Sequence, residues 1–350
     1  MQNFTVKALT LTCTHLPEIH TAANIKTCLT KITENWSLDL SNVPVYVVTD
    51  SGRNIRASAY QIDWTPLQCL EHTFQLAVRD TKEETLAVSL MCKKARVIAG
   101  HYKHSAQATR RLKDCQKGME LPAVSLIQDV DTRWNSEHAM LSYLVELIDA
   151  VSLEMAASET SVSCLSPSEW NVAASLVQVL QPIVDATADF SSQRYGAIST
   201  VVSFLCGTEQ ILRSHCDIEN EAGLFSKNLL WSLKSRFPLF MEQKEPMLAM
   251  LRDPRFKSIF CIDSFDQTRA VELLVAEVSV RCACVDSPSE QFKRQELSEP
   301  PTSPKKSLQT VCETVELLAS QKIPRNNPRP NSQEIQKYLN EPLIPRSTTL

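Results

Sequence analysis

The feature that most constrains the fold is a long stretch, from Phe74 to Lys244, in which apolar residues recur three and four positions apart. This is the spacing of one face of an α-helix. The chain has only 6 glycines against 18 prolines, which argues against a loop-dominated fold or a glycine-rich phosphate loop. The sequence therefore predicts an all-helical region, with helices over residues 74–99, 106–115, 140–157, 170–190, 198–215 and 224–244.

The N-terminal part has a different pattern. Residues 6–13 are rich in β-forming residues and partly alternate, which predicts a strand, and apolar residues at helical spacing follow from His20 to Trp36. Residues 43–50 form a near-continuous apolar run that ends in Asp50, the signature of a strand buried on both faces. Strand, helix and strand in this order predict an α/β unit with a parallel crossover.

Composition limits the classes of function. The 350 residues are 43% hydrophobic, so the chain can bury one large core or two smaller ones. Its net charge of −4 gives no global positive field, so any contact with DNA must come from a local basic patch. The 12 cysteines are scattered among apolar residues, which indicates core thiols in a reducing compartment. No apolar run approaches the roughly 18 residues of a membrane span, so no membrane partner is expected.

Six motifs then occur in a fixed order along the chain. They are His20-Thr-Ala-Ala-Asn-Ile25, Val48-Thr-Asp50, Cys69-x-x-His72-Thr, Asp129-Val-Asp-Thr-Arg-Trp-Asn-Ser136, Asp253-Pro-Arg-Phe-Lys257 and Tyr338-Leu-x-Glu-Pro342. This ordered set resembles the hAT-superfamily DNA transposases. Within that superfamily it is most similar to the domesticated, transposon-derived BED-type zinc-finger proteins of vertebrates.

The resemblance implies a fold class of α/β plus all-α, a ribonuclease H-like domain interrupted by a large helical insertion. We expect a partial ribonuclease H-like portion with an incomplete, open-edged sheet over residues 1–80 and the insertion over 81–285. Residues 286–307, rich in Ser, Pro, Glu and Lys, predict a flexible linker. A short helix over 308–320 and a proline-rich tail over 323–350 without a core-forming element are expected to follow. The family's dimerisation segment would begin near residue 350, so a monomer is expected.

The resemblance also implies how catalysis would be lost. Family members bind metal ions with two Asp and one Glu, and Asp50 matches the second Asp, whereas these residues offer no match for the other two ligands. The turn after Asp50 reads Ser-Gly-Arg-Asn54-Ile55 in place of the usual Asn-x-x-Asn-Met. Asp50 has the alternative of capping the following helix. The sequence therefore predicts a non-enzyme with Asp50 as a vestigial metal-ligand position, and no cofactor.

Zinc binding is not expected either. The Cys-x-x-Cys and His-x-His pattern of a BED finger is absent from these residues. Cys282 and Cys284 are too close for a usual zinc pair, and no second half follows, so they are interpreted as core or surface thiols.

Arg133 and Trp134 correspond to a pair that in the family lies near the active site. Trp134 is suited to stack on an unpaired base while Arg133 steadies a phosphate. The alternative is that Trp134 anchors the start of a helix in the core and Arg133 pairs with Asp129 or Asp131. The sequence leaves both open.

Two further sets are candidates for nucleic-acid binding. Cys69 and His72 lie beside the DNA end in relatives, and the alternative is a packed thiol with a satisfied imidazole. The densest basic run is either a nucleic-acid face or a solvated helical surface, and it consists of Lys93, Lys94, Arg96, His101, Lys103, His104, Arg110, Arg111 and Lys113. Of these, Lys93, Lys94, Lys103, Arg110 and Arg111 are predicted to bind DNA. The motif 253–257 is interpreted as structural, with Phe256 buried and Arg255 tying helices together.

Two functions from different classes remain. The first is a non-catalytic nuclear protein that associates weakly with DNA or chromatin and regulates transcription, with the cytoplasm as the alternative location. The second is a helical protein-interaction scaffold, or a decaying gene fragment, without affinity for nucleic acid. An active transposase is nearly excluded by the missing acidic ligands.

Overall fold

The computed structural model describes residues 9–41, 43–50, 52–130, 134–158, 160–190, 197–237, 244–257, 264–283 and 332–343. These residues fall into two compact units. Those up to Arg79 form the N-terminal unit, and those from Asp80 onward form the helical unit. The boundary lies within helix α3, Leu70–Glu84.

The N-terminal unit contains a β-α-β arrangement. Its elements before α3 are α1 (Ala22–Asn35), β1 (Tyr46–Thr49), α2 (Arg53–Gln61) and β2 (Thr65–Gln68). The two strands are parallel, with Tyr46 beside Thr65 and Thr49 beside Gln68. Helix α1 begins after Thr21, whose hydroxyl accepts a hydrogen bond from the Asn24 backbone N–H at 3.3 Å. The helix predicted over 20–36 and the strand predicted over 43–50 are confirmed, but the parallel partner of β1 is β2 and not the strand predicted over residues 6–13.

Two expectations for this unit are corrected. Residues 9–13 do not form a strand, and residues 6–8 lie outside the described residues. Strand β1 is not buried on both faces, since Tyr46 is 44% exposed and Val48 65% exposed. The described sheet has two strands, so β1 is an edge strand and lacks a neighbour on one side. Helix α2 and strand β2 were not predicted, because β2 has only four residues and includes Pro66.

The helical unit continues α3 with ten further helices among its described residues. They are α4 (Leu86–His104), α5 (Ala106–Gly118), α6 (Trp134–Glu146), α7 (Ile148–Ala157), α8 (Pro167–Phe190), α9 (Ala197–His215), α10 (Glu221–Arg236), α11 (Lys244–Arg252), α12 (Ser264–Ala283) and α13 (Ser332–Asn340). The predicted all-helical region is confirmed, although the predicted helices 74–99 and 140–157 are each divided in two. None of the described helices is both long and apolar enough to cross a membrane.

Side-chain caps explain several helix starts. Ser105 ends α4 and caps α5, since its hydroxyl accepts a hydrogen bond from the Ala108 N–H at 3.2 Å. Ser166 and Glu169 form a reciprocal capping box at α8, with distances of 2.8 and 3.3 Å. The helix start predicted at residues 166–168 is thereby confirmed.

A buried apolar cluster joins the C-terminal helices of this unit. Its members are Val202, Cys206, Met247, Leu248, Met250, Leu251, Phe256, Leu274 and Ile335. Ile335 lies on α13, with Leu339 packed against the cluster one turn later. The expectation that residues 323–350 lack a core-forming element is therefore wrong for α13. Two apolar residues one turn apart among prolines are too short a pattern to predict a docked helix. The predicted linker 286–307 and helix 308–320 lie outside the described residues.

The motif 253–257 follows α11 and is almost entirely buried. Arg255 donates two hydrogen bonds to the Asp253 carboxylate, at 2.9 and 2.6 Å. Burial opposes ionisation of Asp253, yet these bonds hold its pKa below the ordinary value. Phe256 is buried, as predicted. Arg255 is buried as well and binds Asp253 within its own motif.

Lys257 connects this motif to a distant part of the sequence. It is 2% exposed, and its ammonium donates to the Tyr338 carbonyl at 2.6 Å and the Glu341 carbonyl at 3.0 Å. Those carbonyls lie at the C-terminal end of α13, where backbone acceptors lack helical partners. Lys257 has φ 48°, in a region that costs a non-glycine residue about 1–2 kcal/mol. The bonds between Lys257 and α13, called here the C-terminal clamp, join two of the six motifs.

Candidate nucleic-acid interface

Two of the predicted site residues meet at one edge of the small sheet. Asp50 follows β1 and Cys69 follows β2. The Cys69 N–H donates to the Thr49 carbonyl at 2.8 Å, so the two strand ends are adjacent. His72 lies in the first turn of α3, directly after this edge, and is half-buried. The carboxyl edge of a parallel sheet is where α/β folds place their functional groups.

The Asp50 carboxylate stabilises a turn. It is exposed, and Oδ1 accepts a hydrogen bond from the Gly52 N–H at 3.1 Å. A Cβ at position 52 would lie 3.1 Å from that oxygen, so glycine permits this close approach. Gly52 is the N-cap residue of α2, and no side chain caps the helix. Asp50 thus holds the turn before α2 instead of capping its first turn. Among the described residues, no group of three His, Cys, Asp or Glu side chains is arranged to hold a metal ion.

Trp134 is the first residue of α6 and is only 4% exposed. Its ring cannot stack on a base while α6 is in place, so the predicted base-stacking role is not met in this conformation. The burial agrees with the alternative, a core anchor at the start of a helix. Arg133 lies outside the described residues. The Asp129 carboxylate accepts two hydrogen bonds from Arg96, at 2.8 and 2.5 Å.

Three cations of the predicted basic run are engaged by carboxylates. The pairs are Lys94–Glu169 at 2.6 Å, Arg96–Asp129 at 2.5 Å and Arg111–Glu154 at 2.6 Å. The side chains of Asp129 and Glu154 are only 1% and 2% exposed. A buried carboxylate that loses its cation is left uncompensated, at a cost of several kcal/mol. Arg96 and Arg111 are therefore structural residues, and Lys94 links α4 to the start of α8.

Arg111 is held by hydrogen bonding to the buried carboxylate of Glu154. Glu154 accepts hydrogen bonds from the Tyr102 hydroxyl and from Arg111 Nε, both at 2.6 Å. Burial raises the pKa of Glu154, but these bonds outweigh it and leave the pKa below the ordinary value. Burial and the bond to Glu154 raise the pKa of Tyr102 well above its usual range. Arg111, from the predicted DNA-binding set, is thus committed to a buried network.

A second group of cations remains exposed. Arg110, Lys113 and Lys117 recur at intervals of three and four along α5, so they share one helical face. Lys103, at the end of α4, lines the same cleft as Lys113. Across the part of the chain that the structure describes, no salt bridge engages these four residues. We call Lys103, Arg110, Lys113 and Lys117 the α5 basic face.

The cleft beside this face has a volume of about 240 Å³. Besides the two lysines it is lined by Tyr102, Thr109, Leu112, Val124, Ser125 and Leu126. Of the predicted binding residues, Lys103 and Arg110 belong to the α5 basic face, and Lys93 is exposed on α4. Lys117 was missed, and Lys113 was noted only as part of the basic run. The spacing 110, 113, 117 was the signal that could have found them.

The region of the chain that matches a known family includes the α5 basic face. Residues 67–179 match the family model of the ZBED1 RNase-like helical domain. The chain is also 28% identical to the human (Homo sapiens) protein named Zinc finger BED domain-containing protein 4, over 230 residues, 63% of this chain and 19% of that protein. Over the matched residues the chain is similar to the BED-type, hAT-derived proteins. The resemblance carried by the six motifs is confirmed.

The RNase-like helical domain matched at residues 67–179 contains the α5 basic face, the three engaged cations and Trp134. This chain spans only 19% of the length of its BED-type relative. The match accordingly describes a domain, and the activity and partners of any whole protein are treated below as proposals.

Proposed function

We propose that this chain binds DNA weakly through the α5 basic face, as a non-catalytic, transposase-derived nuclear protein. The observation that carries the proposal is the grouping of Lys103, Arg110, Lys113 and Lys117 on one exposed surface without carboxylate partners among the described residues. Cations without protein partners are available to phosphate oxygens. Because the net charge of the chain is −4, attraction to DNA must come from a local cluster of cations such as this one.

The mode of contact follows from the side chains on this face. Lysine and arginine neutralise phosphates and carry little sequence information by themselves. The aromatic ring nearest in sequence, that of Tyr102, is buried and donates its hydroxyl to Glu154. Trp134 is buried as well. The proposed ligand is therefore the backbone of duplex DNA, bound with little dependence on sequence.

The N-terminal unit supports the non-catalytic part of the proposal. We infer that β1, α2 and β2 are a portion of a ribonuclease H-like fold, because their parallel strands place Asp50 at the carboxyl edge. Of the three acidic ligands that the resemblance implies, these residues match Asp50 alone. One exposed carboxylate holds Mg²⁺ weakly, since magnesium sites use several oxygen ligands. Cys69 and His72 lie near the same edge and are proposed as vestigial, DNA-proximal residues.

The test compares charge-neutralising variants by fluorescence anisotropy with labelled duplex DNA at two salt concentrations. The double variant Arg110→Gln, Lys113→Gln should bind more weakly to every sequence. The slope of log K against log salt should fall by about 0.9 for each phosphate that the variant no longer neutralises. At 0.1 M salt that change in slope corresponds to roughly a tenfold lower affinity for each such phosphate.

The matched control is Lys94→Gln with Lys234→Gln, which also removes two exposed positive charges. Both lysines are already paired, Lys94 with Glu169 and Lys234 with Glu209. The control should leave the salt slope unchanged. Equally weakened binding by the two double variants would mean that net charge alone governs binding and that the α5 basic face is not the site.

A second candidate function is a protein-interaction scaffold. It is favoured by four exposed apolar side chains on α10 and α4, namely Leu224, Trp231, Leu86 and Leu90. The two helices are linked there, since Asn228 donates to the Thr85 hydroxyl at 3.3 Å. Exposed apolar patches mark interaction sites. No binding by the parent chain to any DNA at low salt, with a crosslinked protein partner that disappears in Trp231→Asp, would select this function.

Location and assembly are part of the same proposal. We expect a DNA-associated chain in the nucleus, and we propose that it is a monomer. A fluorescent fusion that stays in the cytoplasm would contradict the first expectation. Light scattering that gives twice the mass of 39.3 kDa would contradict the second.

A further inference from the structure

Residues 121–130, here called the crossing segment, contain no helix or strand and yet are held at defined points. At its start, the Leu121 N–H donates to the Gln116 carbonyl at 2.9 Å. The Gln116 side chain donates in turn to the Val124 carbonyl at 2.9 Å. Leu126 is buried. The first half of the segment is thus attached to the end of α5.

The second half is attached to α4 and α6. Arg96, on α4, binds both carboxylate oxygens of Asp129, which is almost fully buried. A Cβ at Gly100, one turn further along α4, would lie 3.1 Å from Gln128 Nε2, so glycine admits the segment close to the helix. The Ser136 hydroxyl bonds both the N–H and the carbonyl of Val130, at 2.8 and 3.0 Å.

This attachment bears on the α5 basic face. Val124, Ser125 and Leu126 of the crossing segment form one wall of the cleft that Lys103 and Lys113 also line. The wall has no backbone ladder of its own to keep it in place. Its position depends on the hydrogen bonds at its two ends and on the burial of Leu126. The bidentate bond between Arg96 and Asp129 joins two charged groups, which is the stronger class of hydrogen bond.

We propose that Arg96 is a positioning residue: by holding Asp129 it fixes the crossing segment as the wall of the cleft and sets the shape of the α5 basic face. The part that concerns DNA rests on the proposed function. Arg96 is a cation of the predicted basic run, so its charge suggests a phosphate contact. The structure assigns it to a buried carboxylate instead.

The two roles predict opposite effects of one substitution. If Arg96 acted on DNA by its charge, Asp129→Asn would remove a neighbouring negative charge and strengthen binding, and Arg96→Lys would be nearly neutral. If Arg96 acts by position, Asp129→Asn weakens binding although it makes the chain more positive. Arg96→Lys weakens it too, because an ammonium cannot make the bidentate bond.

The experiment measures hydrogen exchange of the crossing segment and duplex affinity in the full chain, for Arg96→Lys, Asp129→Asn and the double variant. Exchange in residues 121–130 should accelerate by about tenfold or more in each single variant, the scale of one missing charge-assisted bond. The double variant should be no worse than either single one, since both remove the same interaction. Duplex affinity should fall in both single variants, and the double variant should bind no more weakly than either of them. Lys93→Gln, exposed on α4, is the control and should leave exchange unchanged.

Asp129→Glu keeps the carboxylate and should restore part of both signals, which separates positioning from general damage to the fold. Unchanged exchange in Arg96→Lys, or tighter DNA binding by Asp129→Asn, overturns the proposal. If the parent chain binds no DNA, the proposed function fails. The exchange data then still decide whether Arg96 holds the crossing segment.

Discussion

The two units bury their residues to different degrees. No residue of α1 is buried, and β1 exposes Tyr46 and Val48. In the helical unit α4 alone buries Val88, Met91, Cys92, Ala95 and Ile98 among others, and the carboxylates of Asp129 and Glu154 are both buried and paired. The helical unit therefore contains its own apolar core and its own polar partners. The N-terminal unit offers apolar surface on an edge strand that a larger sheet would cover.

The largest expected effect tests whether the polar partners of the helical unit are needed. Lys257→Met keeps most of the side-chain volume but leaves the Tyr338 and Glu341 carbonyls without their charged donor. We expect the free energy of unfolding to fall by about 2–3 kcal/mol, the scale of hydrogen bonds to a charged group. Urea denaturation followed by circular dichroism measures it. The control is Lys244→Met, at an exposed lysine that pairs with Glu277. It should change the free energy of unfolding by less than about 0.5 kcal/mol.

An equal, small effect of both substitutions would mean that the C-terminal clamp contributes no more to stability than a surface ion pair. A decrease confined to exchange protection of α13, without a shift in the main transition, would instead show that α13 opens separately from the rest of the unit.

An intermediate effect concerns pH. His138, on α6, is buried, and its Nε2 lies 3.2 Å from the Val177 carbonyl on α8. Burial lowers its pKa below 6.5, and the bond to that carbonyl only partly offsets this. The unfolded chain therefore binds the proton more readily, so stability present above pH 6.5 should be lost as pH falls from there toward the folded pKa. The slope contributed by one proton cannot exceed about 1.4 kcal/mol per pH unit.

Denaturation between pH 5 and 7.5 (about one unit either side of a free histidine) should show a shallower pH dependence for His138→Gln than for the parent. Parallel curves for the parent and His138→Gln would mean that the imidazole is protonated equally in the folded and unfolded chains.

The smallest effect is expected in the N-terminal unit. Val48 and Leu67 are register partners on β1 and β2, but Val48 is 65% exposed and Leu67 only 7%. Val48→Thr should change stability by less than about 0.5 kcal/mol, whereas Leu67→Thr should cost about 1–3 kcal/mol. Exchange rates of the β1 and β2 amides report both. A cost for Val48→Thr as large as that for Leu67→Thr would show that β1 is covered in solution, and the contrast between the units would disappear.

Periodicity predicted most of the helical unit because its signals are local. The spacing of apolar residues predicted the helices. Ser166 and Glu169, which are three residues apart, indicated the start of α8. Short elements escaped for the same reason: β2 has four residues, and α13 has a single apolar pair. The ordered motifs identified the family, which no single element could do.

The candidate site was harder to predict, since it depends on which cations are engaged. Arg96 meets Asp129 across 33 residues, Arg111 meets Glu154 across 43, and Lys94 meets Glu169 across 75. No pattern within a helix reveals these partners. The indole of Trp134 is suited to stacking on a base, but whether it is exposed depends on tertiary packing, which the local sequence does not reveal. The helical spacing of Arg110, Lys113 and Lys117 is the part of the site that sequence does contain.

The two sides of the C-terminal clamp are synthesised at different times. Lys257 and its first acceptor, Tyr338, are 81 residues apart, which at about 5–20 residues per second is several seconds of translation. During that interval the emerging chain has Met247, Leu251 and Phe256 but lacks Ile335 and the two carbonyls that bind the Lys257 ammonium. Helix α13 thus covers an apolar surface that is synthesised well before it. A nascent chain stalled before residue 332 should for that reason be a substrate for chaperones that recognise exposed apolar segments.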